Sequence, residues 1–338
     1  MNTVMEVQNL RKHYTPSGPG LFHRNRKVLH ALDGVSLSIR RGEILGVVGE
    51  SGCGKSTLGR CLLRLVDVTS GEIFFEGTDI TCKSRRELKP YRRNMQMIFQ
   101  NPFSSFNPRM RIGESLREVG HVYGMDRKTA MAGILRLLDY IRLPEEVLER
   151  SPAELSGGQL QRLAVARALL LNPSFIVADE PVSALDVSVQ AQILNLIVDL
   201  REQFRMTLLF ISHEMTVVEH ICDTVAVMYL GKIVELAPTR LLFRNLLHPY
   251  TQALMSAIPK ADPEASSERI ILTGDIPSAM DLPPGCRFAS RCRDCAEICI
   301  RREPELKNAG DGHYVACHRV YSRRLDSDPA AANIKIMQ

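Results

Sequence analysis

Short apolar runs alternate with stretches of helical periodicity from about residue 1 to residue 245. Residues 43–49 form an almost continuous apolar run, which is typical of a strand buried on both faces. Residues 174–179 and 207–213 show the same pattern, and each run ends in polar residues. Because strands that alternate with helices usually pair in parallel, the pattern predicts an α/β fold with a largely parallel sheet.

The helical segments show one apolar face each. A helix is predicted to begin near Lys55, with four apolar residues at helical spacing: Leu58, Cys61, Leu62 and Leu65. A second amphipathic helix is predicted within residues 185–204. Residues 224–236 predict a β-hairpin that turns at Leu230 and Gly231.

Two segments depart from this alternation. Residues 100 to 158 are rich in turn residues and then helical, without a strong strand, so they predict an inserted helical subdomain. Beyond Pro249, prolines and glycines lead into a cysteine-rich segment. We therefore predict a main domain over residues 1–245 and a C-terminal extension over residues 246–338, of which residues 322–338 are expected to form a frayed tail.

Composition and charge exclude several classes of protein. The 338 residues correspond to roughly two domains of ~150 residues. Apolar residues make up 45% and charged residues 24%, which argues against a disordered or fibrous chain. The net charge of +5 is too small to indicate a nucleic-acid partner. No apolar stretch is long enough to span a membrane, and the first residues lack a secretory signal, so we expect a reducing compartment without disulfides.

Residues 49–57 match the phosphate-binding pattern G-x-x-x-x-G-K-[ST] and lie between a predicted strand and a predicted helix. Glycines let backbone N–H groups point at a phosphate chain, and the following helix N-terminus adds partial positive charge. Lys55 is expected to reach the β and γ phosphates of ATP, and Ser56 to bind Mg²⁺. The nucleotide-binding residues predicted here are Gly49, Ser51, Gly52, Cys53, Gly54, Lys55, Ser56 and Thr57.

Two adjacent acids, Asp179 and Glu180, follow the apolar run that ends near residue 179. The carboxyl ends of strands are where open α/β sheets bind ligands. Since neighbouring side chains of a strand point in opposite directions, one acid can serve Mg²⁺ and the other a water molecule. We assign Asp179 to the metal ion and Glu180 to the water, as general base.

A serine followed by two glycines opens the amphipathic helix after residue 155, which creates a second helix N-terminus suited to an anion. A second such site facing the same phosphates in the same chain would compete with the first. We therefore infer that it completes an ATP site on a partner chain, so that two chains bind two ATP molecules head to tail. The residues involved are Ser156, Gly157, Gly158 and Gln159.

The order of these motifs, with Gln100 after an apolar run, Asp186 in SALD and His213 in ISHE, resembles the ATP-binding subunits of ABC transporters. The resemblance implies an ABC-type P-loop NTPase with a RecA-like parallel-sheet subdomain, an antiparallel β subdomain and a helical insertion. It also implies that Gln100 contacts Mg²⁺ and relays to a membrane partner, that Asp186 bridges the dimer interface, and that His213 holds the γ phosphate against Glu180. Tyr14 would stack on adenine.

Residues 242–259 followed by residues 283–292 further resemble the C-terminal extension of dipeptide and oligopeptide importers. That resemblance implies a 4Fe-4S cluster bound by Cys286, Cys292, Cys299 and Cys317. Four thiolates suit zinc as well as iron-sulfur, and Cys295 forms a zinc-like pair with Cys292, so the metal stays open. A structural role is expected rather than a redox one.

The favoured hypothesis is an ATP-hydrolysing subunit of a peptide importer, peripheral to the cytoplasmic face of the inner membrane. Its expected partners are a second ATP-binding subunit (itself or a paralogue), two membrane-spanning permease subunits and, indirectly, an extracytoplasmic substrate-binding protein. The first alternative is a soluble ABC-type ATPase that acts on nucleic acid or the ribosome, and the second is a metal-sensing regulator. The cargo stays open among dipeptides, oligopeptides, glutathione and nickel chelates.

Overall fold

The computed structural model describes residues 3–15, 27–258, 270–272, 274–275 and 277–321. The chain forms two compact units. The first contains the described residues of Met1–Leu10, Ser36–Gly46 and Ser56–Ser212, and the second contains those of Arg11–Val35, Val47–Lys55 and His213–Gln338. The boundary between residues 245 and 246 is a different division and stays a prediction, and residues 322–338 lie outside the described residues.

The first unit holds most of the strands and the longer helices. Its strands, some of which begin or end in the second unit, are β1 (Thr3–Tyr14), β2 (Leu29–Arg40), β3 (Ile44–Val48), β4 (Ser70–Phe75), β5 (Thr78–Asp79), β6 (Met95–Ile98), β7 (Phe175–Asp179) and β8 (Thr207–Ile211). Its helices are α1 (Lys55–Leu62), α2 (Arg85–Asn94), α3 (Ile112–Val122), α4 (Arg127–Ile141), α5 (Gly157–Leu169) and α6 (Val187–Phe204).

The parallel sheet of the first unit has the strand order β3-β8-β7-β6. Strands β6 and β7 pair in parallel, as do β7 and β8, with Val177 opposite both Met97 and Leu209. Every residue of β3, β7 and β8 is buried, which explains why these strands are apolar runs without alternation. The predicted α/β fold with a parallel sheet is confirmed.

Helix α1 begins at Lys55 as predicted but is shorter than the apolar pattern indicated. Leu58, Cys61 and Leu62 are buried, whereas Leu65 is 49% exposed and lies beyond the end of the helix. Arg64 has a φ of 51°, so the chain leaves the helical path before the next turn would place Leu65 on the buried face. The prediction for Leu65 was wrong for this reason.

An antiparallel sheet and a helical insertion complete the first unit. The sheet has the order β2-β1-β4-β5, and β4 and β5 are antiparallel. Residues 100–158 contain α3, α4 and short 3-10 turns but no strand, as predicted. Helix α4 buries one face, through Ala130, Ile134, Leu137, Leu138 and Ile141. Within the described part of the chain, no helix is both long and apolar enough to cross a membrane.

The second unit is built on the predicted hairpin. Strands β9 (Thr224–Tyr229) and β10 (Lys232–Pro238) are antiparallel, and the two residues between them, Leu230 and Gly231, have φ values of 43° and 78°. Two consecutive positive φ values are what a two-residue type I′ turn requires. The remaining elements are α7 (Met215–Ile221), α8 (Thr239–Arg244), α9 (Pro249–Ser256), α10 (Glu297–Arg301), β11 (Lys307–Asn308) and β12 (Tyr314–Val315).

The C-terminal extension is joined to this hairpin by a strand and by buried polar contacts. Strand β12 pairs with β10, with Val315 opposite Glu235. Glu235 is fully buried and accepts hydrogen bonds from the backbone N–H groups of Leu247 and His248, and it lies 2.6 Å from His313 Nε2. A buried carboxylate is stable only when it is paired in this way, so the network fixes the extension on the hairpin.

Candidate functional site

Two glycines of the predicted phosphate loop lie where no side chain fits. Gly49 and Gly54 have φ values of 152° and 108°. A Cβ at Gly49 would lie 2.2 Å from the carbonyl oxygen of Met228, and a Cβ at Gly54 would lie 2.3 Å from that of Ala31. Because both obstacles are backbone atoms, the loop path requires glycine at both positions.

Lys55 is held inside this loop rather than extended into solvent. Its side chain is 5% exposed, and its Nζ donates to the carbonyl oxygens of Gly49 and Glu50, at 2.7 and 3.1 Å. A buried ammonium group needs such acceptors, and the loop backbone provides them. The cation is therefore positioned at the centre of the loop, as an anion site requires.

The other predicted loop residues differ in their surroundings. Ser51 and Gly52 are exposed, and Thr57 lies half-buried in the first turn of α1. Cys53 is 3% exposed, and burial raises the pKa of its thiol. Cys53 therefore packs as a neutral thiol, and it can serve a ligand through its backbone only.

Ser56 and Asp179 come together in the first unit. Ser56 Oγ donates to Asp179 Oδ1 at 2.7 Å, and Asp179 is the last residue of β7 and 3% exposed. Helix α1 can approach β7 closely because Gly59 has no side chain, since a Cβ there would lie 2.7 Å from Val177 Cγ1. The structure thus brings into contact the two residues that the sequence analysis assigned to Mg²⁺.

Glu180 does not continue the strand, which corrects one step of the sequence argument. It has a φ of 47°, and β7 ends one residue before it. The alternation of side chains along a strand therefore does not apply between Asp179 and Glu180. Glu180 Oε2 accepts a hydrogen bond from Gln100 Nε2 at 2.9 Å, and the same nitrogen lies 3.4 Å from Ser183 Oγ. The structure thus brings together two residues that are 80 positions apart.

Ser156 caps helix α5 as the sequence indicated. Its Oγ accepts from the N–H of Gln159 at 3.3 Å, and its own N–H donates to Gln159 Oε1 at 3.0 Å, which forms a capping box. Ser156 is exposed at this turn. A helix N-terminus that is both ordered and exposed is suited to receive an anion.

The turn at Ser156 lies beside the segment that contains Asp186. A Cβ at Gly158 would lie 2.6 Å from Val189 Cγ1, and one at Gly157 would lie 3.4 Å from Leu185 Cδ2. Asp186 is exposed and precedes the first residue of α6 without a side-chain capping bond. Two motifs separated by thirty positions in sequence thus form one surface of the first unit.

Tyr14 and His213 belong to the second unit. Tyr14 is the last residue of β1 and is 36% exposed, with Lys12 Nζ 4.7 Å from the centre of its ring. The His213 side chain is 51% exposed, and its Nε2 lies 3.7 Å from Glu214 Oε1. Both side chains are thus exposed to solvent.

The structure brings the four predicted cysteines into one cluster. Cys299 and Cys317 are buried, whereas Cys286 and Cys292 are half-buried. All nine cysteines lie in the described part of the chain, and none forms a disulfide there. Burial, together with the charges of neighbouring thiolates, raises the pKa of Cys286 to about 12 and that of Cys292 to about 11. Without a cation, four thiolates at this place would repel one another.

Backbone N–H groups point at three of these sulfurs. Those of Phe288, Asp294 and Val320 act to lower the pKa of Cys286, Cys292 and Cys317 respectively. N–H groups that donate to sulfur are typical of thiolates that bind a metal. Cys295 is exposed and outside this pattern.

Arg287 and Arg291 are functional candidates that the sequence analysis missed. Arg287 donates to Leu230 O and Asp33 Oδ2, and to Glu303 Oε1 at 3.3 Å. Arg291 forms a two-point ion pair with Glu50 of the phosphate loop. The available signal was the presence of two arginines within the seven residues from Cys286 to Cys292, but spacing alone did not show their partners.

A second cluster of potential metal ligands, also missed, consists of His13, His30 and Asp33, whose ligand atoms lie within 4.8 Å of one another. His30 Nδ1 lies 3.1 Å from His13 Nε2, a distance that a hydrogen bond between the two rings explains. The Asp33 carboxylate already pairs with Arg287 and lies 3.6 Å from Arg11 Nε. These ion pairs account for the cluster as a contact between β1, β2 and the extension.

Two segments of the chain match known families. Residues 32–183 match the family described as ABC transporter, and residues 234–299 match the family described as oligopeptide/dipeptide transporter, C-terminal region. A putative peptide import ATP-binding protein of Brucella ovis is 48% identical over 94% of this chain and 98% of its own length. The oligopeptide transport ATP-binding protein AppF of Bacillus subtilis is 48% identical over 94% of this chain and 97% of its own length.

Solved structures show the same fold. The ATP-binding cassette MJ0796, in a dimeric post-hydrolysis state bound to ADP and phosphate, superposes with a TM-score of 0.61 at 28% identity, over 70% of this chain and 99% of that one. The ADP conformation of MJ1267, an ATP-binding cassette of an ABC transporter, gives 0.62 at 26% identity, over 76% and 100%.

Proposed function

Because the chain belongs to the family of ATP-binding proteins of oligopeptide and dipeptide ABC transporters, we propose that it hydrolyses ATP to drive peptide import through a membrane complex. One observation carries this conclusion: Ser56 Oγ, which directly follows the loop lysine, is hydrogen bonded to Asp179 at the end of a buried strand. The match over residues 234–299 supports a transporter rather than an ATPase that acts on nucleic acid.

Ser56, Asp179 and Gln100 are the residues that would hold Mg²⁺. The donors are oxygens, which Mg²⁺ prefers, and Ser56 Oγ and Asp179 Oδ1 are 2.7 Å apart. Two neighbouring ligands of an octahedral Mg²⁺ lie about 3 Å apart, so the pair fits with little movement. When bound, the ion neutralises charge on the phosphates. Lys55 holds the β and γ phosphates from the loop.

Glu180 is proposed as the general base, with Gln100 orienting its carboxylate through the 2.9 Å hydrogen bond. The backbone of Glu180 is left-handed, so β7 does not continue through it. In this proposal Glu180 accepts a proton from the attacking water. His213 is proposed to hold the γ phosphate during this step.

The turn Ser156–Gln159 and Asp186 are proposed to complete the ATP site of a partner chain, with Tyr14 stacked on adenine. The exposure of Ser156 and Asp186, and the contact between their segments, support this assignment. The partner is either a second copy or a paralogous subunit. Two permease subunits and, indirectly, an extracytoplasmic binding protein would complete a complex in which this chain is peripheral to the cytoplasmic face of the inner membrane. Gln100 relays between nucleotide and permease.

An iron-sulfur cluster on Cys286, Cys292, Cys299 and Cys317 is proposed over zinc. The charges of Cys292, Cys299 and Cys317 act on the pKa of Cys286, so the four thiols are neighbours. Four thiolates suit either centre. The match of residues 234–299 to the oligopeptide/dipeptide transporter C-terminal region supports the iron-sulfur centre that the family resemblance implies, with a structural role.

The test of this function uses Glu180→Gln in the complex with its membrane subunits, reconstituted in vesicles. The variant should bind ATP but lose ATP hydrolysis and labelled-peptide uptake by roughly 10²- to 10⁴-fold, because the general base is absent. Glu202→Gln, an exposed change of the same kind on α6, is the matched control. If Glu180→Gln hydrolyses ATP at the wild-type rate, the assignment of Glu180 as general base is wrong. If the wild-type complex hydrolyses ATP but takes up no labelled peptide, the assignment of peptides as the cargo is wrong.

A further inference from the structure

Glu50 of the phosphate loop is held from two sides by the C-terminal extension. Its carboxylate oxygens accept from Arg291, with N···O distances of 2.7 and 3.0 Å. Its backbone N–H donates to Tyr250 Oη at 2.8 Å. The ion pair joins residues 241 positions apart, and a two-point arginine–carboxylate contact fixes orientation as well as distance. Glu50 is therefore placed by the extension and not by the loop alone.

The groups that hold Glu50 are themselves firmly packed. The Arg291 side chain is only 8% exposed, and its guanidinium carbon lies 6.0 Å from the centre of the Tyr229 ring. The rings of Tyr229, Tyr250 and Phe288 contact one another at 4.7 to 5.4 Å between centres. This aromatic group, with Arg291, forms a rigid support under the loop.

Glu50 in turn contacts the lysine of the loop. Lys55 Nζ donates to the carbonyl oxygen of Glu50 at 3.1 Å, so a shift of Glu50 moves an acceptor of the phosphate-binding ammonium. The carboxylate of Glu50 also brings a negative charge into a loop that must attract a triphosphate. Arg291 neutralises that charge.

Arg291 directly precedes Cys292, and Phe288 is two residues beyond Cys286. The segment that bears the first two cysteines of the cluster is thus the segment that supports the loop. Metal binding by those cysteines would fix its backbone, and loss of metal would release it.

We propose that Arg291 is a positioning residue that neutralises and fixes Glu50, so that the integrity of the cysteine cluster sets the affinity of the phosphate loop for nucleotide. This inference rests on the proposed binding of ATP by the loop. Because coupling between two sites is reciprocal, bound nucleotide also protects the cluster.

The first test measures equilibrium binding of a fluorescent Mg²⁺–ATP analogue to the full chain. Arg291→Gln should weaken binding about ten-fold, because one charge in the loop is left uncompensated. The double variant Arg291→Gln with Glu50→Gln should return to within about three-fold of wild type, since the repulsive charge is gone. Arg301→Gln, which removes an exposed arginine–glutamate pair of the same extension, is the matched control and should leave affinity unchanged.

The outcomes separate this inference from simpler ones. Unchanged affinity in Arg291→Gln, or a double variant as weak as the single one, would overturn it, because a purely structural arginine is not rescued by removing Glu50. If Arg291→Gln does not fold, Arg291→Lys retains the charge but not the two-point contact, so it should weaken binding by less than about ten-fold. A loss of about ten-fold or more there would overturn charge neutralisation. Lys55→Ala serves as the reference: if it binds nucleotide normally, the proposed function fails instead.

The second test measures the link to the cluster without measuring activity. Cys292→Ser should weaken nucleotide binding in the same direction as Arg291→Gln, and the two changes together should weaken it no more than the stronger one. In wild type, saturating nucleotide should slow the release of metal to a chelator by several-fold, and it should not do so in Arg291→Gln. If nucleotide does not change the rate of metal release in wild type, the coupling is refuted.

Discussion

His248 makes the stability of the second unit sensitive to acid. It is 1% exposed and precedes helix α9, where its Nδ1 accepts the backbone N–H of Tyr250 at 3.1 Å. A ring nitrogen that accepts a hydrogen bond carries no proton, so the imidazole is neutral in the fold. Burial lowers the pKa of His248 from its ordinary 6.5 to about 4, although the nearby Glu235 acts to raise it.

This pKa shift determines both the sign and the size of the effect. Below pH 6.5 the unfolded chain binds a proton at His248, whereas the folded chain does not until about pH 4. Stability from this group is therefore complete above pH 6.5 and falls as the pH decreases towards 4. The whole shift corresponds to about 3 kcal/mol, of which about 2 kcal/mol is lost by pH 5.

Thermal and urea unfolding between pH 7.5 and pH 5 would measure this loss. His248→Asn keeps an acceptor before α9 but cannot be protonated, so its stability should depend less on pH than that of wild type, by about 2 kcal/mol over this range. His121→Asn, at an exposed position of α3, should follow the wild-type profile. If His248→Asn and wild type show the same slope, the imidazole is not a neutral buried group and the reasoning is wrong.

Other predictions address the nucleotide site and the metal. Gly49→Ala should abolish nucleotide binding and lower stability by roughly 2 kcal/mol or more, because its Cβ would collide with a backbone oxygen, and a binding titration with a melting curve would detect both effects. If the partner is a second copy, Ser156→Arg and Lys55→Ala should each be inactive alone yet hydrolyse ATP when mixed, because the mixed dimer contains one intact shared site; no recovery would contradict a site shared between two copies of this chain. Cys292→Ser should lose iron and sulfide by elemental analysis, whereas Cys295→Ser should retain both, and stoichiometric zinc in wild type would refute the cluster.

The sequence predicts best those parts of the fold that depend on residues close together in the chain. Strands β3, β7 and β8 are buried on both faces, so their apolar runs needed no knowledge of their neighbours. The hairpin turn at Leu230 and Gly231 follows from the conformations those two residues must adopt. The end of α1 depended instead on Arg64, whose left-handed backbone no periodicity reveals.

The candidate site likewise contains one contact that the sequence predicted and others that it did not. The motif spacing predicted that Ser56 would serve together with Asp179, and the two are hydrogen bonded. The turn at Glu180 was not predicted, because strand periodicity assumes that the strand continues. Its contact with Gln100 was not predicted either, since 80 residues separate the two and no local pattern joins them. The family resemblance implied only that Gln100 contacts Mg²⁺ and relays to a membrane partner.

In the segment from Cys286 to Cys292, the spacing of the predicted metal ligands did not reveal every residue that makes a specific contact. The sequence analysis assigned a role to the two cysteines and none to the arginines between them. Yet the side chains of Arg287 and Arg291 are only 6% and 8% exposed. Arg287 contacts Asp33, which precedes the phosphate loop, and Arg291 contacts Glu50, which lies within it. Burying two guanidinium groups is costly unless each finds a partner, so their partners, Asp33 and Glu50, constrain the segment. The ion pairs therefore hold the same short stretch of backbone that carries Cys286 and Cys292, two of the cysteines proposed to bind the cluster.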